Sequence, residues 1–412
     1  IACIEGIAAL ARATTSAEAA AAYSGERMTF GPDYLIPKPF DPRLMGVVAT
    51  AVARAAMDSG VATRPLDDIE AYKASLDHSV FKSAMIMRPV FAAASQVERR
   101  IAFAEGENET VLRAANAMIE ETTDKPILIG RPDVIAMRAE RAGLKIRPGV
   151  DFEIVNPEND SRYKQYWQAY HGLMQRKGVT PDLAKAIMRT NTTAISAIMV
   201  QQDHADSLIC GTFGQYLWHL NYLTQILGTK DLHPVGALSL MILEDGPLFI
   251  SDTHVHPEPT PQQIAETVIA TARHIRRFRT EPQIALCSHS QFGNLDCDTG
   301  RRMRAALEIL DSAPRDFAYE GEMHIDAALD PELRNRIFPS SRLTEPANAL
   351  VFANADAASG VRNILKTKGG GLEVGPILMG LGNKAHVVTP SITARGLLNM
   401  SAIAGTPVSE YE

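Results

Sequence analysis

The sequence predicts an α/β protein built on a mostly parallel sheet with helices on both faces. From about residue 95 onward, short apolar runs alternate with stretches whose apolar residues repeat at helical spacing. Strands that alternate with helices pair in parallel and are covered on both faces. The runs are followed by small or hydroxylated residues, as at Gly211-Thr212-Phe213-Gly214 and Ser288-His289-Ser290, and ligands of such sheets gather at the carboxyl ends of strands. At 412 residues the chain exceeds the roughly 250–300 residues that one hydrophobic core serves, so two or three domains are expected.

The elements follow in order. Residues up to about Ala22 are alanine-rich and favour helix. Phe30 to Leu44 holds Pro32, Pro37, Pro39 and Pro42, with Pro65 further on. Proline removes backbone donors and disfavours helix at the residue before it, so this stretch is expected to be extended or irregular. A helix is expected over Val47 to Ser59, stopped by Gly60. Strand-like runs are Ile101–Ala104, Ile127–Ile129, Leu208–Cys210, Leu248–Ser251, Ile284–Cys287, Ala349–Phe352 and Ile377–Met379. After the first of these, Val111, Leu112, Ala115, Met118 and Ile119 fall on one helical stripe, the spacing that buries a single face. Asn354, Asp356, Ser359 and Gly360 follow the run ending at Phe352, and Gly369–Gly371 precede Gly375-Pro376. Small residues at strand ends let backbone N–H groups approach an anion, which suits a phosphate-bearing ligand. Taken singly, each of these loops also reads as an ordinary strand-to-helix turn.

Composition narrows the function classes. The 41 Lys+Arg against 48 Asp+Glu leave a net charge of −7, so no global basic field favours nucleic acid. Cys3, Cys210, Cys287 and Cys297 are scattered and read as reduced cytosolic thiols rather than a disulfide frame or zinc site. No uncharged apolar run reaches the length of about 18 residues that a transmembrane helix needs. The opening IACIEGIAALARA is amphipathic with no basic region or cleavage-like site, and reads as a chain cut from something longer rather than a signal peptide.

Seven segments in order, AFAEGENETVLRAA, KPILIGRPDVI, VNPENDSRYKQYWQAYHGLMQRKGVT, DHADSLICGTFG, LCSHSQFGN, EGEMHIDAAL and VGPILMGLG, resemble the phosphotransacetylase (phosphate acetyltransferase) family over Gln96 to Thr406. The resemblance implies an isocitrate/isopropylmalate-dehydrogenase-like sandwich of two subdomains, 81–233 plus 386–412 and 234–385. CoA would sit in or beside the cleft between them, and a homodimer would form through one subdomain. FGPDYLIPKPFDPRL followed by VARAAMDSGVATRPLDD is similar to the C-terminal end of the bacterial malic enzyme domain, which places 1–80 as the end of its NAD(P)-binding domain and a linker. That family's dinucleotide loop, acid–base lysine and tyrosine and metal carboxylates lie upstream of the matching segment.

Acetyl transfer from CoA to phosphate needs a base for the thiol and cationic donors for the developing charge. In the phosphotransacetylase family a Ser-Arg pair and an Asp seven residues after the Ser serve these tasks. In GLGNKAHVVTPSITARGLLNM the resemblance puts Thr389 at the Ser position, Pro390 at the Arg position and Gly396 at the Asp position. Proline offers no charged donor and glycine accepts no proton. A second family arginine falls on Asn221. Losing one electrostatic donor costs about 2.7–4 kcal/mol in the transition state, so little catalysis is expected. Arg395 neighbours the Asp position, but adjacent helical positions point in different directions.

Candidate acetyl-CoA contacts are Arg176, Lys177, Thr212, Ser288, Ser290, Asn354, Thr389 and Asn399. Arg176 and Lys177 before Gly178 suit the nucleotide phosphates, and equally suit a solvated helix end. His254 and His256 are expected at alternate strand positions, facing one side, as polar strand-end histidines rather than a metal site, since no third ligand is in range. Cys287-Ser288-His289-Ser290 lacks the elbow of a nucleophile, which favours ligand contact by the serines. Glu322, His324 and Asp326 read as a polar strand stripe facing a cleft, a subunit or solvent. His274 to Arg279, HIRRFR, reads as an exposed helix face.

The malic enzyme and phosphotransacetylase resemblances in tandem are those of bacterial multidomain NADP-dependent malic enzymes. They imply an acetyl-CoA-sensing regulatory domain without phosphotransacetylase turnover. The parent would decarboxylate malate oxidatively to pyruvate and CO2 with NADP and a divalent Mg or Mn. Expected partners are acetyl-CoA or CoA, the chain's own malic enzyme domain and further copies, as a dimer or a hexamer in the parent, in the cytoplasm, with no nucleic acid or membrane. The alternative is an active phosphate acetyltransferase. A metal-dependent hydroxyacid dehydrogenase, suggested by fold alone, needs clustered aspartates and a lysine–tyrosine pair that are not found at matching spacing.

Overall fold

The computed structural model describes residues 1–13, 30–31, 35–37, 42–122, 124–228 and 235–406, apart from the side chains of 42, 75 and 77–82. The chain divides into two compact units, Ile1–Arg88 and Pro89–Glu412. The first unit contains the helix Ala2–Arg12 and a continuous helical run of Pro42–Leu44, a π turn over Met45–Ala49, and Thr50–Asp58. Its last helix, Ile69–Ala94, crosses the unit boundary, with Pro89 in its interior. Pro42 therefore opens a helix instead of prolonging an irregular stretch, because a first-turn N–H has no helical partner to lose. The alanine-rich start is helical over Ala2–Arg12 as expected, while its remainder, residues 14–22, and Pro32 and Pro39 lie outside the described residues.

The second unit holds two sheets. The first consists of β1 (Arg100–Phe103), β2 (Lys125–Ile129), β3 (Glu153–Val155), β4 (Ser207–Cys210) and β11 (Ala385–Val387), in the order β11-β4-β1-β2-β3, all parallel. The second consists of β5 (Gly236–Leu243), β6 (Gly246–Ser251), β7 (Gln283–Cys287), β8 (Ala318–Met323), β9 (Ala349–Phe352) and β10 (Leu372–Met379), in the order β10-β5-β6-β9-β7-β8. There β6, β9, β7 and β8 are parallel, while β5 runs antiparallel to both neighbours. Parallel pairing thus holds for nine strands, and β5 and β10, which pair only antiparallel, depart from it.

The apolar runs read from the sequence fall on β1, β2, β4, β6, β7, β9 and the end of β10. Gly375-Pro376 lies inside β10 as a register shift between Val374 and Ile377, not in a strand-end loop. The helix Glu109–Glu121 buries Val111, Leu112, Ala115 and Met118, with Ile119 half-buried. Its N-cap Asn108 accepts a hydrogen bond from the Thr110 N–H at 2.8 Å, satisfying one otherwise orphaned donor.

The expected exposure of His274 to Arg279 is corrected by the structure: Arg277 is 7% exposed. Its guanidinium donates to the Ile403 carbonyl at 2.6 Å, to Asn383 Oδ1 at 3.1 Å and to His274 Nδ1 at 3.2 Å. The chain returns from β10 to β11 through left-handed positions at Gly380 (φ 88), Gly382 (φ 60) and Asn383 (φ 55). Asn383 Nδ2 donates to the carbonyls of Ile403, Ala404 and Thr406 at the end of the helix Ala394–Gly405, where carbonyls run out of helical donors. His386 Nδ1 accepts from the Leu378 N–H at 3.2 Å, leaving Nε2–H to donate to Asn383 Oδ1 at 3.0 Å. Burial, then the charge of Arg277, lowers the His386 pKa to about 3, so His386 is neutral at pH 7 beside the charged arginine.

Arg277→Met is expected to lower unfolding stability by roughly 2–4 kcal/mol in urea titrations, since it strips buried acceptors of a charged donor. Arg277→Lys should recover less than half of that loss, because an ammonium cannot reproduce the guanidinium fork.

Candidate functional site

Glu105 follows β1 and is 7% exposed. Its carboxylate accepts from the Gly211 N–H at 3.1 Å and from the Thr212 N–H and hydroxyl at 3.3 Å each. Gly211 has φ +101, and a Cβ there would lie 2.4 Å from the Val388 carbonyl oxygen, so only glycine fits. The Val388 N–H donates to the Cys210 carbonyl at 2.7 Å, which sets the loop after β11 beside the loop after β4.

From that loop a chain of polar contacts runs to the second sheet. Thr389 Oγ1 lies 3.1 Å from Ser391 Oγ, and Lys366 Nζ donates to Ser391 Oγ at 3.2 Å and to Glu373 Oε2 at 2.9 Å. Arg362 clasps both oxygens of Glu373, and the pair is 7% and 6% exposed. Ser239 Oγ contacts Glu373 Oε1 at 3.4 Å and Thr253 Oγ1 at 3.2 Å, and Thr253 Oγ1 meets His254 Nδ1 at 2.8 Å. The His254 ring packs against Tyr216, tilted by 31° with centroids 4.7 Å apart. Tyr216 opens the helix that follows β4, so the chain of contacts ends beside the first sheet again. The Tyr216 hydroxyl is buried and has no hydrogen-bond partner among the described residues.

The electrostatics follow from burial and charge count. Burial opposes ionisation of Glu373, but Arg362 and then Lys366 hold its pKa below the usual value. Burial, then Arg362, lowers His254 to about 4, leaving it neutral at pH 7. Burial pushes Glu105 up to about 7 against the Gly211 and Thr212 donors. The Tyr216 hydroxyl is pushed well above its ordinary value by burial, then by Asp252. Two cations against one carboxylate leave a surplus positive charge at Lys366, beside the hydroxyls of Ser391 and Thr389. That set is suited to holding a carbonyl or phosphoryl oxygen. Glu373 is saturated by its cations and so is poorly placed to take a proton.

The structure places each residue read from the sequence. Thr389 is half-buried and Pro390 exposed. Gly396 lies in the first turn of the helix Ala394–Gly405, its N–H held by Thr393 Oγ1 at 3.0 Å. A Cβ there would meet Ile392 Cγ1 at 2.9 Å. Arg395 pairs with Glu121 at 3.6 Å and lies 5.8 Å from the centre of the Phe91 ring, and Asn221 accepts from Gln225 at 2.9 Å. Thr212 and Thr389 come together through the Gly211–Val388 contact. Ser288 and Asn354 line a separate crevice beyond β7 and β9. Ser290 is fully buried and donates to Glu322 at 2.6 Å. Asn399 is 1% exposed, with an unpartnered Oδ1. Arg176 and Lys177 sit exposed on the 3-10 turn Gln175–Lys177, and no described hydrogen bond or ion pair ties them to either group.

Two expectations are corrected. His254 and His256 are not on a strand, because β6 ends at Ser251. Both are instead gathered by the buried Asp252, whose Oδ1 accepts from the N–H groups of Ala237, His254 and Val255 and whose Oδ2 accepts from His256. Glu322, His324 and Asp326 share no strand stripe: β8 stops at Met323 and a short helix, Ile325–Leu329, follows. Glu322 is 1% exposed and is paired with Arg304. Cys287 is buried and its thiol is pushed up by that burial, against nucleophilic use. Sequence reading missed Glu105, Tyr216, Arg362, Lys366, Glu373 and Ser391. Arg362 and Lys366 carried one legible signal, their spacing of four on a single helix.

Glu105 generates a pH prediction. Its folded pKa of about 7 exceeds the unfolded value, so the stability it contributes is complete below about pH 4.5 and lost as pH rises through 7. Relative to Glu105→Gln, the native chain should lose up to about 3 kcal/mol between pH 4.5 and 7. Paired denaturation curves across that window check it, and parallel curves would contradict it.

Over 98% of its length the chain is 50% identical to an NAD-dependent malic enzyme of Rhizobium meliloti (strain 1021), covering 53% of that protein. It is 45% identical over the same share to an NADP-dependent malic enzyme of Salmonella typhimurium, covering 54% of it. The chain thus spans about half the length of the curated relatives it matches. Two solved structures share the fold of 78% of the chain: a EutD phosphotransacetylase from Staphylococcus aureus (TM-score 0.70, 23% identity, 98% of that chain) and a phosphotransacetylase from Streptococcus pyogenes (TM-score 0.71, 24% identity, 99% of that chain). Residues 85–405 match the family described as phosphate acetyl/butaryl transferase, and the chain belongs to that family.

Proposed function

We propose that this chain is the acetyl-CoA-sensing part of a malic enzyme and that it does not turn over acetyl phosphate. The observation that carries the reading is the loop after β11. It keeps a hydroxyl at Thr389 beside the Lys366–Ser391 contact, but has Pro390 and Gly396 where the chemistry needs a cation and a base. A cation, two hydroxyls and no free carboxylate support binding of a thioester better than its cleavage.

In this reading the two sheets are the cores of an isocitrate/isopropylmalate-dehydrogenase-like pair of subdomains, 81–233 with 386–412 and 234–385. Acetyl-CoA enters between them toward Thr212 and Thr389. Residues 1–80 are the end of the malic enzyme domain. NADP and a divalent Mg or Mn belong to the half of the relatives that this chain does not span. There malate is decarboxylated oxidatively to pyruvate, and the assembly is a cytoplasmic homodimer or hexamer. Acetyl-CoA regulates malate oxidation only if it binds one arrangement of the domains better than another.

Incubation with acetyl phosphate and CoA should give no thioester absorbance above background. Calorimetry should show saturable acetyl-CoA binding that weakens about tenfold in Lys366→Met, the loss of one charge-assisted hydrogen bond. Sustained thioester formation would instead establish the second reading, an active phosphate acetyltransferase. Absence of acetyl-CoA binding would remove the sensing role.

A further inference from the structure

The carboxyl ends of β7, β8 and β9 surround a crevice of about 520 Å³ that the preceding reading does not use. From β7 the chain passes to its neighbour β8, whereas from β9 it leaves in the opposite direction toward β10. Loops that part in this way open a crevice at the point where strand order reverses, the usual place for a ligand in a parallel sheet.

The groups at this crevice are mostly donors. Ser288 Oγ accepts from the Ser290 N–H at 3.1 Å, which leaves its own proton to give. Asn354 Oδ1 caps the helix Ala355–Thr367 by accepting from the Ala357 N–H at 2.9 Å, so its amide N–H groups remain. His289 Nδ1 lies 3.3 Å from Thr299 Oγ1, and the His289 carbonyl accepts from His324 Nε2 at 3.0 Å. No described hydrogen bond engages His289 Nε2 or Asn354 Nδ2. Arg302 donates to the Ala353 carbonyl at 3.0 Å and pairs with Glu258 at 3.8 Å. The lining carboxylate, Asp326, accepts from the Ala327 N–H. Among the described residues no group of three or more His, Cys, Asp or Glu is placed to hold a metal ion. Phe352 and Ile325 complete the wall and offer apolar contact to an organic portion.

We propose that this crevice binds the phosphoryl group of an organic phosphate, as a site separate from the cleft at Thr389. The phosphoryl oxygens are received by Ser288, His289 and Asn354. The same chemistry serves a free phosphorylated metabolite or the nucleotide end of CoA.

Titration calorimetry on the whole chain tests this with inorganic phosphate, adenosine 3′,5′-bisphosphate and acetyl-CoA. Both phosphate probes should bind at least about tenfold more weakly to Ser288→Ala/His289→Ala than to the native chain. Acetyl-CoA weakened by the double substitution would identify the nucleotide end of CoA as the occupant. Acetyl-CoA unaffected by it would leave the crevice to a separate metabolite. Asn354→Asp keeps the helix cap while adding a negative charge, and should abolish phosphate binding even if the double variant folds poorly. Equal affinity of native chain and Asn354→Asp for the phosphate probes, or no saturable binding of either probe, would overturn the proposal. Phosphate binding without acetyl-CoA binding would leave this site intact while removing the sensing role.

Discussion

The two sheets of Pro89–Glu412 are fixed to one another at the passage from β10 to β11, where Arg277, Asn383 and His386 form a buried polar knot. Arg277 comes from the helical end beneath the second sheet, His386 from β11 of the first, and Asn383 from the turn between them. A buried guanidinium is costly unless every donor finds an acceptor. Here its partners include the Ile403 carbonyl at the end of the helix Ala394–Gly405, which Asn383 also engages. Each half therefore satisfies groups the other leaves open, and the loop carrying Thr389 starts directly beyond this knot.

Charge is distributed unevenly along the edge where the sheets meet. Glu105 is committed to backbone N–H groups, Glu373 to two cations and Asp252 to its own loop. All three carboxylates hold structure in place. What is left toward Thr389 is cationic and hydroxylic, a composition suited to receiving an oxygen-rich ligand without removing a proton from it.

Much of the architecture was legible in the sequence because buried parallel strands are short apolar runs, and seven such runs landed on strands. β3 and β11 were not, since three residues carry no periodicity. β8 was hidden by Glu320 and Glu322, buried carboxylates that read as polar surface. β5 is a continuous apolar run, which looks the same in a strand and in a buried helix. Of the site, the loops around Thr212 and Thr389 were legible from motif and glycine placement. Lys366, Glu373 and Tyr216 were not, because they meet only through tertiary contacts between segments far apart in the chain. HIRRFR misled for a related reason: sequence shows that an arginine is charged but not that distant carbonyls await it.

The placement of β11 also governs biosynthesis. The first sheet begins with β1 but receives its last strand, and the helix Ala394–Gly405 that buries Leu397 to Gly405, only after all six strands of the second sheet have been made. A ribosome releasing this chain delivers the second sheet complete while the first still exposes one flank of β4. Such an unpaired edge is an open invitation to wrong partners. β11 and the helix Ala394–Gly405 therefore act as a closing clasp, and a chain halted before them would present the cell with one finished half and one adhesive half.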